Sequence, residues 1–148
     1  MTETSTSPSA APPRRITTGH ARVDRMLQGM VGASHLDRAT LDGSSIAVSF
    51  REDDRYFVND EFVARLTIGA AFGLLYRCGL DEARFVFRRD GQEVGLRVAK
   101  ADFAAFFGLT EAQMTRIASD PTRFEESPIH KVSGSRQWEF YLQFTKDA

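Results

Sequence analysis

Two sets of side chains in this sequence have the type and spacing to do chemistry. Asn59, Asp60 and Glu61 stand together at the head of a long apolar run. A carboxylate held there can act as an acid or a base. Arg84, Arg88 and Arg97, with Arg89 beside them, recur on alternating positions of two short runs. Guanidinium forks of this kind grip carboxylates and phosphates. A looser group, His130, Lys131, Ser133, Ser135 and Arg136, gathers around Gly134. Backbone N–H groups flanking a glycine can cradle an anion, although the order of residues matches no phosphate-loop pattern. His20 and His35 read as surface polar residues, since metal ligands come in sets with defined spacing. Cys78 is the one cysteine, so there is no internal disulfide framework. Its place in the last turn of a helix suits packing better than a reactive thiolate. No metal and no cofactor are expected.

The acids are positioned by residues 59–80, which read as one long helix. Asn59 or Asp60 can cap its start, and Asp60 and Glu61 complement the positive end of the helix dipole. Gly79 followed by Leu80 marks the stop, with Arg77 in the last turn. At about 100° per residue the helix is apolar nearly all round, interrupted by Arg65, Thr67, Tyr76 and Arg77, which predicts burial on more than one side. Gly69 and Gly73 lie one turn apart. Each costs about 1 kcal/mol against alanine inside a helix, so a close neighbour is expected there. That neighbour is a segment of the same chain, the same helix of a second subunit, or a ligand. The uncharged run from Leu66 to Tyr76 falls far short of the roughly 20 residues that cross a bilayer.

The arginines are positioned by residues 83–98, two alternating runs around Asp90-Gly91, the two-residue hairpin signal. The turn fixes the register. Phe87 faces Val94 and Phe85 faces Leu96 on the core side; Arg88 faces Glu93, Val86 faces Gly95, and Arg84 faces Arg97 on the other. Like charges directly opposite are destabilising; either solvent screening makes the pair tolerable, or an anion or an acidic partner sits on the outer sheet face.

The remaining elements follow from period and punctuation. Val23, Met26, Leu27, Met30 and Val31 give one apolar helical face over 19–31, stopped by Gly32. After a linker ending at Asp42-Gly43, residues 44–52 alternate as a half-buried strand, and 55–58 form a short return strand. Residues 101–107 make a helical turn with three Phe on one side, ended by Gly108. Thr110 and Gln113 form a capping box. Asp120-Pro121 opens another turn anchored by Phe124. Residues 127–136 read as a loop. The chain closes with 137–145, where Trp138, Phe140, Leu142 and Phe144 alternate with Glu139, Tyr141 and Gln143 as an amphipathic strand.

The fold class expected is α+β: an antiparallel sheet of about five strands packed against one long central helix, in the order α-β-β-α-β-β-α-α-β. Residues 1–15, Ser/Thr/Pro-rich, are a disordered tail, and 16–148 form a single domain. The N-terminal segment has no apolar core of a signal peptide, so a cytoplasmic location is expected. Sixteen Arg against three Lys fit a GC-rich, bacterial-like composition, and the net charge of −1 argues against non-specific nucleic-acid binding.

Three functions are compatible with these residues. The first is a non-catalytic binding or regulatory module acting through protein–protein contact, self-associating as a homodimer through the Gly69/Gly73 stripe or meeting a small anion or protein partner at Arg84, Arg88 and Arg97. The second rests on a resemblance. Residues 45–98, a central helix wrapped by strands, resemble the hotdog fold of thioesterases and dehydratases. That resemblance implies an acyl-thioester enzyme with Asn59, Asp60 or Glu61 as its acid or base, although the family's usual histidine and paired glycines before the helix are missing. The third is anion or nucleic-acid binding on the Arg-rich sheet face.

Overall fold

The computed structural model describes residues 17–30, 33–51, 60–89 and 91–146; the side chains of Asp60, Glu61, Arg89 and Lys146 also lie outside the description. The fold is α+β, with a four-stranded mixed sheet and six α-helices among the described residues. Strands β1 (Leu36–Asp42) and β2 (Ser45–Phe50) form one antiparallel hairpin, and β3 (Glu82–Arg89) and β4 (Gln92–Ala99) form another. Between β2 and β3 the pairing is parallel, Ser45 against Glu82 through Ser49 against Val86. The sheet is therefore not wholly antiparallel as expected. A helix inserted between two neighbouring strands returns the chain to the end it left, which makes those strands parallel. This arrangement also removes the antiparallel wrap on which the hotdog resemblance depends.

Strand β1 replaces the expected linker. Its alternation is broken by a register shift between Leu36 and Arg38, a bulge that moves one residue out of phase and hides the strand from a period-2 reading. Its turn to β2 contains Gly43 at φ +62°. The short strand expected at 55–58 lies outside the described residues. In the second hairpin every pair stands as the turn dictates, from Phe87↔Val94 and Phe85↔Leu96 to Arg84↔Arg97, with Gly91 at φ +75°. Ile46, Val48, Phe50, Ala83, Phe85, Phe87, Leu96 and Val98 are buried on the inner face, where the Phe50 and Phe87 rings stack 4.6 Å apart.

In one core with that inner face stands α2 (Asp60–Phe72), which continues as a π-helical turn, Gly73–Arg77, packed against β3. The helical run is thus not one uniform long α-helix. Cys78 N–H donating to Gly73 O at 3.0 Å shows the widened turn directly, and Leu80 N–H donating to Leu74 O at 3.1 Å, with Gly79 at φ +75°, closes the helix at the expected glycine stop. From Val63 to Leu75 only Arg65 and Gly69 are exposed. Thr67, buried among apolar neighbours, satisfies its hydroxyl by donating to Val63 O at 2.8 Å.

Burial all round requires a second cover, and α6 (Gly134–Lys146) supplies it beside α2 and against β4. Residues 137–145 were expected as a closing strand; they are helical. The pattern fits both periods, but on a helix Gln137, Phe140 and Phe144 share the buried face, while Trp138 and Leu142 are 42% and 47% exposed. An aromatic cluster joins α6 to α3 (Lys100–Phe106): Phe103, Phe106, Phe107, Phe140 and Phe144 meet with centroids 4.4–6.5 Å apart. Fully burying each such side chain contributes roughly 1.5–3 kcal/mol. Helix α4 (Glu111–Ser119) carries the Thr110/Gln113 capping box, and α5 (Pro121–Glu126) starts at the Asp120 cap. No helix among the described residues is long and apolar enough to cross a membrane.

The first helix, α1 (Ala21–Gly29), runs antiparallel to the end of α2. His20 caps it, its Nδ1 accepting from Val23 N–H at 3.3 Å. Arg22 donates to Arg77 O at 3.3 Å, and one turn on, Met26 sits against Gly73. A β-carbon built on Gly73 would fall inside the contact shell of the Met26 sulfur and methyl. The close neighbour at Gly73 is therefore a segment of the same chain.

Candidate functional site

Arg65 and Gly69, the exposed positions among the described side chains of α2, open onto one cleft of about 730 Å³. That lies within the roughly 300–1,000 Å³ of typical small-molecule sites. Helix α2 forms its floor with Leu66, Gly69 and Ala70. Helix α1 and its C-cap form one wall with Met26, Gly29 and Met30, and the segment from Phe124 to Val132 forms the other with Phe124, Ile129, His130 and Val132. A β-carbon placed on Gly69 meets nothing within 4 Å, so the missing side chain becomes depth of the cleft.

Its charges all have one sign. Arg25, Arg65 and Arg77 line the cleft, with His130 beside them as a further hydrogen-bonding group, and among the described residues no carboxylate does. Arg77 is held in place by two rings, its guanidinium carbon 5.2 Å from the Phe72 centroid and 5.4 Å from that of Phe124. Those rings stack 5.0 Å apart, and His130 packs edge-on to Phe124 at 5.2 Å. A cation packed on aromatic faces is oriented without being neutralised, so it remains available to an anion.

The π turn determines which way Arg77 faces. In an uninterrupted α-helix at about 100° per residue, Arg77 would lie roughly 120° around the axis from Arg65. A π turn rotates less per residue, and the deficit brings Arg77 back toward the side that Arg65 occupies. Both then line one cleft.

Other titratable groups near the turn are structural. Tyr76 donates its hydroxyl within reach of Lys100 O (2.8 Å) and Glu111 Oε2 (2.9 Å). Burial first, then the hydrogen bond and charge of Glu111, hold its pKa well above the ordinary tyrosine range. Burial likewise pushes the Cys78 thiol up, partly opposed by the nearby Arg22 charge. A raised thiol pKa leaves less thiolate at neutral pH.

The residues singled out from sequence do not converge. Gly69 lines the cleft, whereas Gly73 lies under Met26. Arg84, Arg88 and Arg97 are exposed on the outer face of the sheet, opposite the buried residues of β3 and β4. There Arg97 Nε reaches Glu82 Oε2 at 2.8 Å and Arg88 reaches Glu93 Oε2 at 3.5 Å, so the Arg84/Arg97 repulsion is relieved within the sheet. Asn59 lies outside the described residues, and Asp60 and Glu61 open α2 with side chains that do too. Of the residues around Gly134, His130 reaches the cleft, while Arg136 lies over the Phe106 ring at 4.0 Å and pairs with Glu139. Among the described residues no three His, Cys, Asp or Glu side chains gather as a metal site. Arg25, Arg65 and Arg77 were not singled out as a site; the usable signal was two cations interrupting an otherwise apolar helix. Comparison with family models, with curated proteins and with solved structures finds no match.

Proposed function

We propose that the protein is a non-catalytic binding module whose cleft takes an amphipathic anion. One observation carries this reading: between Val63 and Leu75 the helix is buried except at Arg65 and Gly69, and both open onto a cleft with apolar walls in which, among the described residues, arginines are the charged groups. Apolar walls supply affinity through desolvation, and a few fixed polar groups supply orientation. The test is titration with 1-anilinonaphthalene-8-sulfonate, followed by fluorescence and calorimetry. Saturable one-to-one binding is expected, lost in Gly69→Leu while the circular dichroism spectrum is retained. Failure of the native protein to saturate, or undiminished binding by the variant, overturns the reading.

A second reading is self-association through protein–protein contact. It draws on Trp138 and Leu142, large apolar residues exposed on α6, with the Trp138 and Tyr141 rings stacked 5.7 Å apart. Light scattering at micromolar concentration tests it, and a monomer there removes it.

A further inference from the structure

We infer that the ligand is a single-chain acyl amphiphile, its anionic head at the π-turn end of the cleft and its chain running along α2 toward Phe62. This rests on the amphipathic-anion reading above and adds the class and direction of the ligand. The direction comes from how α1 lies on α2. Arg22 meets Arg77 and Met26 meets Gly73, so the antiparallel register brings Arg25 level with the π turn. Arg77 and His130 already stand there around Phe124. Three cationic or hydrogen-bonding groups from three segments thus gather at one end, and a head carrying several oxygens can engage them together.

Met26, against Gly73, marks where the lining turns apolar, and beyond it stand Met30 at the end of α1, Leu66 and Ala70 from α2, and Ile129 and Val132 opposite. Methionine is flexible and polarizable, which suits a wall that must adapt to a disordered chain. From Gly73 back to Phe62 the helix spans about 16 Å at about 1.5 Å per residue, the reach of a chain of roughly a dozen carbons. Gly69 lies on this path, where any side chain would occupy the space of the ligand. Arg65, at the far end, is exposed, and its methylene stem extends the apolar wall while its charge reaches water.

The experiment measures affinities of n-alkyl carboxylates from hexanoate to dodecanoate, each below its micelle concentration, with decyl phosphate alongside decanoate. Affinity should rise about fourfold per methylene until the cleft is filled. Arg25→Gln should weaken every chain length about tenfold, whereas Arg65→Gln should change affinity less than about twofold. The decanoate and decyl phosphate arms separate a fatty-acid head from a phosphate head; binding of either, with the chain-length slope, supports the inference. A flat chain-length series overturns the acyl class even if 1-anilinonaphthalene-8-sulfonate binds. The opposite pattern, Arg65→Gln damaging and Arg25→Gln silent, overturns the direction. If neither the alkyl anions nor the aromatic sulfonate binds, the underlying reading falls as well.

Discussion

Gly69 and Gly73 lie on one helix four residues apart, yet alanine should have opposite effects at the two sites. At Gly69 a new methyl meets nothing within 4 Å. Only the helix propensity term remains, and Gly69→Ala should stabilise by about 1 kcal/mol. For a chain of this size that raises Tm by about 3 °C. At Gly73 the same gain is opposed by the Met26 sulfur and methyl, which occupy the place of the new β-carbon. Those atoms end a flexible side chain, so they can withdraw, but α1 then loses a contact that seats it on α2. Inserting a methyl into packed space costs about 1–3 kcal/mol, so Gly73→Ala should be neutral to about 2 kcal/mol destabilising. Urea denaturation followed by circular dichroism measures both. The added variant Met26→Ala closes a double-mutant cycle: in its background Gly73→Ala should recover the gain seen at Gly69, a coupling of about 1 kcal/mol or more. Equal stabilisation at the two glycines in the native background would refute the docking of α1, and with it one wall of the cleft.

The helical identity of 134–146 separates two aromatic residues that a strand would treat alike. Phe140→Ala should destabilise by about 3–5 kcal/mol, and Trp138→Ala by less than about 1 kcal/mol, in the same denaturation assay; comparable losses would restore the strand. Tyr76 carries a raised pKa in the folded state, so its contribution is complete below about pH 10 and is lost as pH climbs above that. Stability of the native protein should therefore fall more steeply above pH 10 than that of Tyr76→Phe, which itself costs about 1 kcal/mol at neutral pH; parallel curves would contradict the burial of that hydroxyl. Cys78, half-buried with its thiol pKa pushed up, should react with iodoacetamide at pH 8 roughly tenfold more slowly than in urea. Equal rates would place it in open solvent.

What could be read in advance divides along the range of the interactions involved. The β3/β4 hairpin was legible because two adjacent residues, Asp90 and Gly91, set the register of every pair that follows. The caps at Thr110 and Asp120 were legible for the same reason, since donor and acceptor lie within three residues. Residues 137–145 were ambiguous in principle. Their apolar residues satisfy a period of 2 at 138, 140, 142 and 144 and nearly as well a helical face at 140, 141 and 144. Packing chose the helix, because α2 needed cover on its second side and α6 provides it. The bulge between Leu36 and Arg38 erased the period that would have announced β1. The cleft was least legible: Arg25, Arg65, Arg77 and His130 belong to three separate stretches, and their convergence depends on the contact at Gly73 and on a π turn that a constant 100° step cannot represent.

That turn has a consequence for how related chains are to be compared. A π turn holds one residue more than the α-helical turn it replaces. What brings Arg77 to the cleft is therefore a count of residues between Arg65 and Gly79 rather than the identity of any one of them. Removing a single residue from that interval would let the turn revert to α-helix, and eleven residues at about 100° would leave Arg77 within about 20° of Arg65, still at the cleft. Among descendants of one ancestor, a gap of one position here is therefore compatible with the same cleft, whereas an unchanged length wound as plain α-helix would carry Arg77 about 120° away from Arg65.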